Sequence, residues 1–290
     1  MELSNRLEKN KIESMSRFEL IQLINELKET KDLQEKFLLN ISHDLRNPLN
    51  VILSVLQCLK YDDEKSDKKL RDKRNEYKDI IRRNSLKIVK LIDNLIDSSK
   101  LEKNYYNLKK SNVEIISMIE STVTSTEKYA ESKGIKIIFD TNVEELICAV
   151  DPEAIDRIVM NLLSNAIKFS PKDSQILLTV NADDKDIKIS VEDEGEGISE
   201  EDQKVIFNRF VQASKRKSNE HSGSGIGLDL VNYLCLAHGG SVSLYSEESR
   251  GSKFIVNIPI TILKDKEINY EIGGRSKVEQ LEVEFSDIYL

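Results

Sequence analysis

This chain contains no tryptophan, and only 3 cysteines, 3 histidines and 4 prolines among its 290 residues. Each scarcity excludes something. Cys58, Cys148 and Cys235 lie far apart without CxxC spacing, so neither a metal site nor a disulfide framework is expected, and a reducing compartment fits. Long hydrophobic runs are missing too. The longest uncharged apolar stretch, NPLNVILSVLQCL at 47–59, has 13 residues, and a bilayer span needs ~20. The first residues, MELSNRLEKNK, hold no apolar signal-peptide core. A soluble, cytoplasmic protein is expected, with any membrane sensor lying elsewhere. An excess of positive charge is also lacking: 43 basic residues face 51 acidic ones, net −8, which argues against a dedicated nucleic-acid binder.

What is present is a helix-tolerant soluble composition, 39% hydrophobic and 32% charged, on a chain long enough for one to two domains. Leu20, Leu23, Ile24, Leu27, Leu33 and Phe37 recur at spacings of three and four. The pattern predicts an amphipathic helix over 1–36, either a short coiled coil or a helix packed on its own domain. The pattern continues over 37–60, where Pro48 is expected to kink it. The charge run YDDEKSDKKLRDKRN (61–75) reads as a solvated connection. Ile80, Ile81, Ile88, Leu91, Ile92, Leu95 and Ile96 then mark a second helix ending near Leu101. Two such helices make a hairpin with too narrow a core to stand alone, so pairing with a second copy into a four-helix bundle is expected.

After Asn104 the texture changes. A helix is expected over 113–131, then strands at 135–140, 176–182, 187–193, 241–246 and 254–260, with helices at 152–168 and 225–238. This mixture predicts an α+β sandwich, its sheet largely antiparallel with helices on one face. The expected domains are a helical signalling segment (1–36), a hairpin dimerisation domain (37–103), an α/β domain (104–263) and a charged tail (264–290) that carries no readable motif. No internal repeat is visible.

The candidate chemistry starts at ISHDLRNPLN (41–50). His43 has an acid beside it, Asp44, and an amide one helical turn on, Asn47. A lone helical histidine is ordinarily packed or solvated, and this one could equally be nucleophile, base or ligand. Downstream, Asp151 and Pro152 are a good N-cap and first-turn pair for a helix. On that helix Asn161, Asn165 and Lys168 fall on one face. Such a face is either solvated or an oxygen-rich site in which amide carbonyls meet Mg²⁺ and lysine meets phosphate. The strand IKISVED runs into DEGEGIS, with Asp193, Gly195 and Gly197 at its end. IFNRF (206–210) follows, and then GSGIGLDLV places Gly223, Gly225 and Gly227 before a helix, an arrangement suited to phosphate. It is neither a Walker A loop nor GxGxxG.

The order SHDLRNP, NLLSNAIKF, DEGEGI, IFNRF, GSGIGL resembles the signature boxes of bacterial two-component sensor histidine kinases over roughly residues 35–262. The closing GGSVSLYSEESRGSKFIVNIP resembles that family's last two strands. The resemblance implies a hairpin dimerisation and phosphoacceptor domain followed by a Bergerat-type ATP-binding domain, a fold shared with gyrase and chaperone ATPases. It implies His43 as phosphoacceptor, Asp44 as its orienting acid, and Asn47 as the residue that places water for dephosphorylating a partner regulator. Asn161 and Asn165 match the Mg²⁺–phosphate face, Lys168 a phosphate contact, Phe169 an aromatic near adenine, and Asp193 the acceptor of the adenine amino group. Gly195 and Gly197 match the pocket walls, Phe207 and Phe210 the anchors of a lid, and Gly223, Gly225 and Gly227 the loop that closes over phosphates. Three positions depart from the common pattern: Asp44 replaces Glu, Asn47 replaces Thr, and Glu194 stands where Asn is common, bringing a charge near the nucleotide.

The implied activity is ATP- and Mg²⁺-dependent autophosphorylation of His43 and transfer to an aspartate on a separate response regulator. A domain swing about a hinge near 100–106 is expected to bring acceptor and nucleotide together, because they lie in different domains. Residues 1–36 are too short for a sensor, so a partner or an upstream segment is expected to deliver the signal. Two rivals remain: a Bergerat-fold ATPase module, which does not need His43, and a dimeric scaffold without kinase activity.

Overall fold

The computed structural model describes residues 15–62, 69–102, 107–208, 211, 225–264 and 277–288. The chain divides into two compact units, Met1–Asp44 and Leu45–Leu290. Helix α1 (Arg17–Asp62) and helix α2 (Lys69–Glu102) come first in sequence and form the helical-hairpin region. Pro48 lies inside α1, whose helical run is unbroken around it. The proline removes one bond, the backbone donor to the Asp44 carbonyl. The charge run at 61–75 is less of a connection than expected, since α2 already begins at Lys69. Its glutamates, lysines and arginines are good helix formers, and solvation does not prevent the turns from forming. No helix among the described residues is long and apolar enough to cross a membrane.

The second unit contains a mixed five-stranded sheet in the order β2-β4-β5-β7-β6, formed by β2 (Lys136–Thr141), β4 (Gln175–Ala182), β5 (Asp186–Asp193), β6 (Ser241–Glu247) and β7 (Gly251–Pro259). Only β2 and β4 pair in parallel; the other ladders are antiparallel. Alternation sets the inner face. Ile176, Leu178 and Val180 of β4, Ile187, Ile189 and Val191 of β5, and Val256 of β7 are fully buried. On the opposite face lie Thr179 hydrogen-bonded to Ser190 (2.6 Å) and Lys253 paired with Glu192 (2.8 Å). One dry face and one polar face is the usual economy of an antiparallel sheet.

Three helices cover the dry face: α3 (Ile115–Glu131), α4 (Pro152–Phe169) and α6 (Gly227–Ala237). The start of α3 differs from expectation. Residues 111–114 are a short strand, β1 (Ser111–Glu114), antiparallel to β3 (Ile147–Val150), and Glu114 caps the helix by accepting from the Ile116 and Ser117 N–H groups. Four-residue strands are too short for periodicity to reveal. Asp151 caps α4 as its sequence suggests, its Oδ1 accepting from Ala154 N at 3.2 Å. A short helix, α5 (Glu200–Gln203), follows β5.

The tail is structured where no motif was readable. Helix α7 (Lys277–Glu284) and the turn after it bury Leu281, Phe285, Ser286 and Ile288, and Phe285 stacks on Tyr129 of α3 with ring centroids 4.7 Å apart.

Candidate nucleotide and phosphoacceptor sites

Asp193 ends β5, where the pleat turns its carboxylate into the protein; it is 8% exposed. Burial is the main influence and pushes its pKa up to about 6, with Glu192 adding to the rise and the Gly195 and Ser252 N–H groups opposing it. Oδ1 accepts from Gly195 N at 2.9 Å. A buried carboxylate with backbone donors on one side is a strong acceptor for an added N–H group.

The loop after Asp193 has no room for side chains. A Cβ on Gly195 would stand 2.7 Å from Asp193 Oδ1 and 2.9 Å from the Phe169 carbonyl oxygen. Gly197 has φ +69° and a Cβ there would meet the Glu247 carbonyl oxygen at 2.0 Å, so only glycine fits. The loop is tied to β6, where Ile198 N donates to Ser246 Oγ (2.9 Å) and Gln203 Nε2 donates to the carbonyls of Ile198 and Ser246 (2.7 and 2.9 Å). Glu194 does not bring its charge in freely, because Oε2 accepts from Gln175 N at 3.3 Å at the start of β4.

Helix α4 supplies the polar stripe. After its first turn, only positions 157, 161, 165, 168 and 169 are not fully buried. Asn161 donates from Nδ2 to the Arg157 carbonyl at 2.9 Å, which leaves its Oδ1 as the outward atom. That oxygen faces the first residue of α6: a Cβ on Gly227 would lie 2.6 Å from it. The N-cap of α6, Ile226, provides no side-chain hydrogen bond, so the first turn presents backbone N–H groups and the positive end of the helix dipole. Lys168 holds its ammonium 5.5 Å from the Phe169 ring centroid. The C-terminal end of α4 is steadied by Lys133, whose Nζ donates to the carbonyls of Ile167 and Lys168 at 3.1 and 3.2 Å.

The fold thus joins Asn161 to Gly227, and Phe169 to Gly195 and Asp193, along one edge of α4. Asn165 lies on the same stripe, half-buried. Gly225 is described, with φ +70°. Phe207 packs edge-on to Phe254, centroids 6.3 Å apart, beside a shallow depression lined by Glu200, Gln203, Lys204 and Leu244. Phe210, Gly223, the polar stretch 212–222 and the hinge at 103–106 lie outside the described residues.

The chemistry of the donor set fits a hard cation. Amide oxygens on successive turns are oxygen ligands of the type Mg²⁺ prefers, and the outward Oδ1 of Asn161 is one.

His43 is exposed on α1, its side chain 72% accessible. Its Nδ1 lies 3.8 Å from Asp44 Oδ1, an ion-pair distance rather than a hydrogen bond. His43 and Asp44 close the first unit, and Asn47, also exposed, lies just inside the second.

Sequence reasoning missed His238 and Arg157. The buried His238 donates from Nδ1 to Leu234 O (2.7 Å) and accepts at Nε2 from Asp151 N (3.1 Å), pinning the end of α6 to the cap of α4. Burial lowers its pKa, keeping it neutral. Arg157, one turn before Asn161, pairs with the buried Asp97 of α2. Neither has a sequence signature, because each partner is distant in the chain.

The chain matches two families. One, the His Kinase A (phospho-acceptor) domain, covers residues 33–104; the other, the Histidine kinase-, DNA gyrase B-, and HSP90-like ATPase, covers residues 150–262. It is 30% identical over 244 residues to the sensor histidine kinase YcbM of Bacillus subtilis (strain 168), an alignment covering 82% of this chain and 75% of that one. Other curated relatives are far longer, and the chain spans 16% and 18% of two of them. Among solved structures it is similar to full-length ShkA in complex with AMPPNP (TM-score 0.58, 24% identity, covering 79% of this chain and 46% of that one). It is also similar to the histidine kinase ThkA in complex with the response regulator protein TrrA (TM-score 0.53, 20% identity, covering 86% and 68%). These structural likenesses establish the fold.

Proposed function

Because this chain belongs to the sensor histidine kinases of two-component signalling, we propose that it is an ATP-dependent protein-histidine kinase that phosphorylates His43 and passes the phosphoryl group to an aspartate of a response regulator. The observation that carries this reading is the edge of α4, where Asn161 meets the N-terminus of α6 at Gly227 and the Phe169 carbonyl meets Gly195 beside the buried Asp193, each approach too close for a Cβ. Asp193 accepts the adenine amino group beside Phe169. The N–H groups of α6 and the ammonium of Lys168 hold phosphates. Asn161 and Asn165 would hold Mg²⁺, which supplies neutralisation of phosphate charge when bound.

At the acceptor, Asp44 stands beside Nδ1 of His43 and favours the tautomer with its proton there. Nε2 is then the nucleophile. Its lone pair forms the N–P bond, the bond between the γ-phosphorus and the bridging oxygen breaks, and ADP leaves with that electron pair. Asp44 stabilises the charge that develops on the ring. In the second transfer the receiver carboxylate attacks phosphorus and the N–P bond breaks, giving an acyl phosphate and neutral histidine. Asn47, one turn from His43, places water for hydrolysis of that acyl phosphate.

We assign the domains as 1–36, 37–103, 104–263 and 264–290, with dimerisation through the hairpin. Exposed apolar side chains on α1 (Leu49, Leu53, Leu56) and α2 (Ile92, Leu95, Ile96) support a second copy as the partner. A reaction that consumes ATP belongs in the cytoplasm, and the chain is assigned there.

The test is incubation with γ-labelled ATP and Mg²⁺. Wild type is expected to take an acid-labile, base-stable label and His43→Gln none; equal labelling of the two sinks the assignment. In the same assay Asn47→Ala is expected to label normally while losing phosphatase activity, and loss of labelling would move Asn47 to the transfer step.

A further inference from the structure

Residues 277–288 fasten the nucleotide domain to α2. On the α2 side, Arg82 Nη2 donates to both carboxylate oxygens of Glu282 at 2.8 Å, and Lys90 Nζ donates to the Glu284 carbonyl at 2.5 Å and to Asp287 Oδ2 at 3.0 Å. Lys90 is only 15% exposed, and although burial opposes its charge, Glu284 and Asp287 hold its pKa above the ordinary lysine value. On the nucleotide-domain side, Phe285 is fully buried against Tyr129 of α3. Lys277 Nζ reaches Ser121 Oγ (3.3 Å) and Asp156 Oδ1 (3.6 Å). Asp156 is a receptor built for that cation. It is 1% exposed on α4, hydrogen-bonded to Thr122 through Oδ1, while its Oδ2 has no hydrogen-bond partner. A buried carboxylate left half-satisfied is costly unless a positive charge comes with it. The next residue of α4, Arg157, pairs with Asp97 of α2, and its carbonyl holds the Asn161 amide.

We propose that residues 277–288 are an intramolecular strap that restrains the nucleotide domain on α2, and that releasing it speeds phosphorylation of His43. The reason is mechanical. On the autokinase reading, acceptor and nucleotide are carried by different domains and meet by a swing of the nucleotide domain over the helices. A segment bonded to both α2 and α3–α4 must let go, or stretch, for that to occur. Contacts made by one cationic side chain with two acids are a switchable fastening, since one substitution inverts them. The activity half of this inference rests on the autokinase reading above; the fastening does not.

Two measurements test it. The first is hydrogen exchange in wild type and Lys90→Glu, which sets a negative charge against Glu284 and Asp287. Exchange is expected to rise in 281–285 and in α2 around Lys90, while β5 stays protected. Unchanged exchange overturns the strap. The second is the initial labelling rate at saturating Mg·ATP. Lys90→Glu, and a chain ending at residue 276, are expected to label about fivefold faster or more with unchanged nucleotide affinity. Should the truncated chain fail to fold, Lys90→Glu still decides. A short bismaleimide crosslink between Arg82→Cys and Glu282→Cys, in a Cys58→Ser background, is expected to slow labelling. If wild type labels but neither release nor crosslinking alters its rate, the brake is refuted and the kinase reading stands. If no variant labels while exchange responds, the kinase reading fails, the brake fails with it, and the fastening alone is upheld.

Discussion

Asp193 is kept half-ready by its surroundings. Burial raises its carboxyl to about 6 from an ordinary 3.8. A group raised in the folded state holds its proton more tightly there, so its contribution to stability is lost as pH climbs from about 4 to about 6. At neutral pH the ionised side chain therefore costs the empty domain about 3 kcal/mol. A ligand donor offsets that cost, so Asp193→Asn is expected to melt no lower than wild type at pH 7 while losing nucleotide binding, checked by calorimetry on the same samples. Binding by wild type is expected to weaken below pH 6, approaching tenfold per unit. A flat affinity from pH 5 to 8 would show that the carboxylate is not the acceptor. The residue was legible from DEGEGI, but its raised pKa was not. That depends on the depth of β5 and on Ser252, 59 positions away in the chain and opposite it in the β5–β7 ladder.

Helix α4 and the glycine turns show what an element adds to a motif. Its polar stripe was readable from spacing, and its cap from Asp151–Pro152, because both are local. Which glycine matters for what was not readable, since it depends on what each one approaches. Gly197 faces the backbone of Glu247, whereas Gly227 faces the end of the Asn161 side chain. A side chain can swing aside and a strand cannot. Gly227→Ala is thus expected to keep stability within about 1 kcal/mol, alanine being a good helix former, and to weaken nucleotide affinity about tenfold by displacing Asn161. Gly197→Ala is expected to lower the melting temperature outright, for φ +69° and a 2.0 Å approach leave the backbone no alternative. Thermal melts beside nucleotide titrations check both; a Gly227→Ala chain that binds normally would detach Asn161 from the site. The short strands β1 and β3 escaped the sequence for the opposite reason, being too brief to carry a period.

Across the whole molecule the C-terminal segment is the part that sequence reasoning left blank. Four of its apolar side chains are buried, Leu281, Val283, Phe285 and Ile288, and the i, i+4, i+7 spacing of Leu281, Phe285 and Ile288 spans too few turns to stand out in the sequence. They pack where the segment lies against α2, α3 and α4. Phe285 is as buried as any core residue, so Phe285→Ala is expected to cost about 3–5 kcal/mol, measured by denaturant unfolding. A loss under 1 kcal/mol would show that the tail only decorates the domain. The sequence alone determined the kind of protein, a helix pair followed by an α/β domain with the family's boxes in order, and it offered His43, Asp44 and Asn47 for the proposed acceptor site. Those signals survive because they are local, each box fitting within a turn or two of backbone. Only the tertiary structure decided that His238 is a neutral pin between α6 and α4, that Arg157 answers Asp97, and that the tail straps α2 to the nucleotide domain. These pairings join residues between 60 and 200 positions apart, and such partners are chosen by burial and charge in the folded chain, where no periodicity records them.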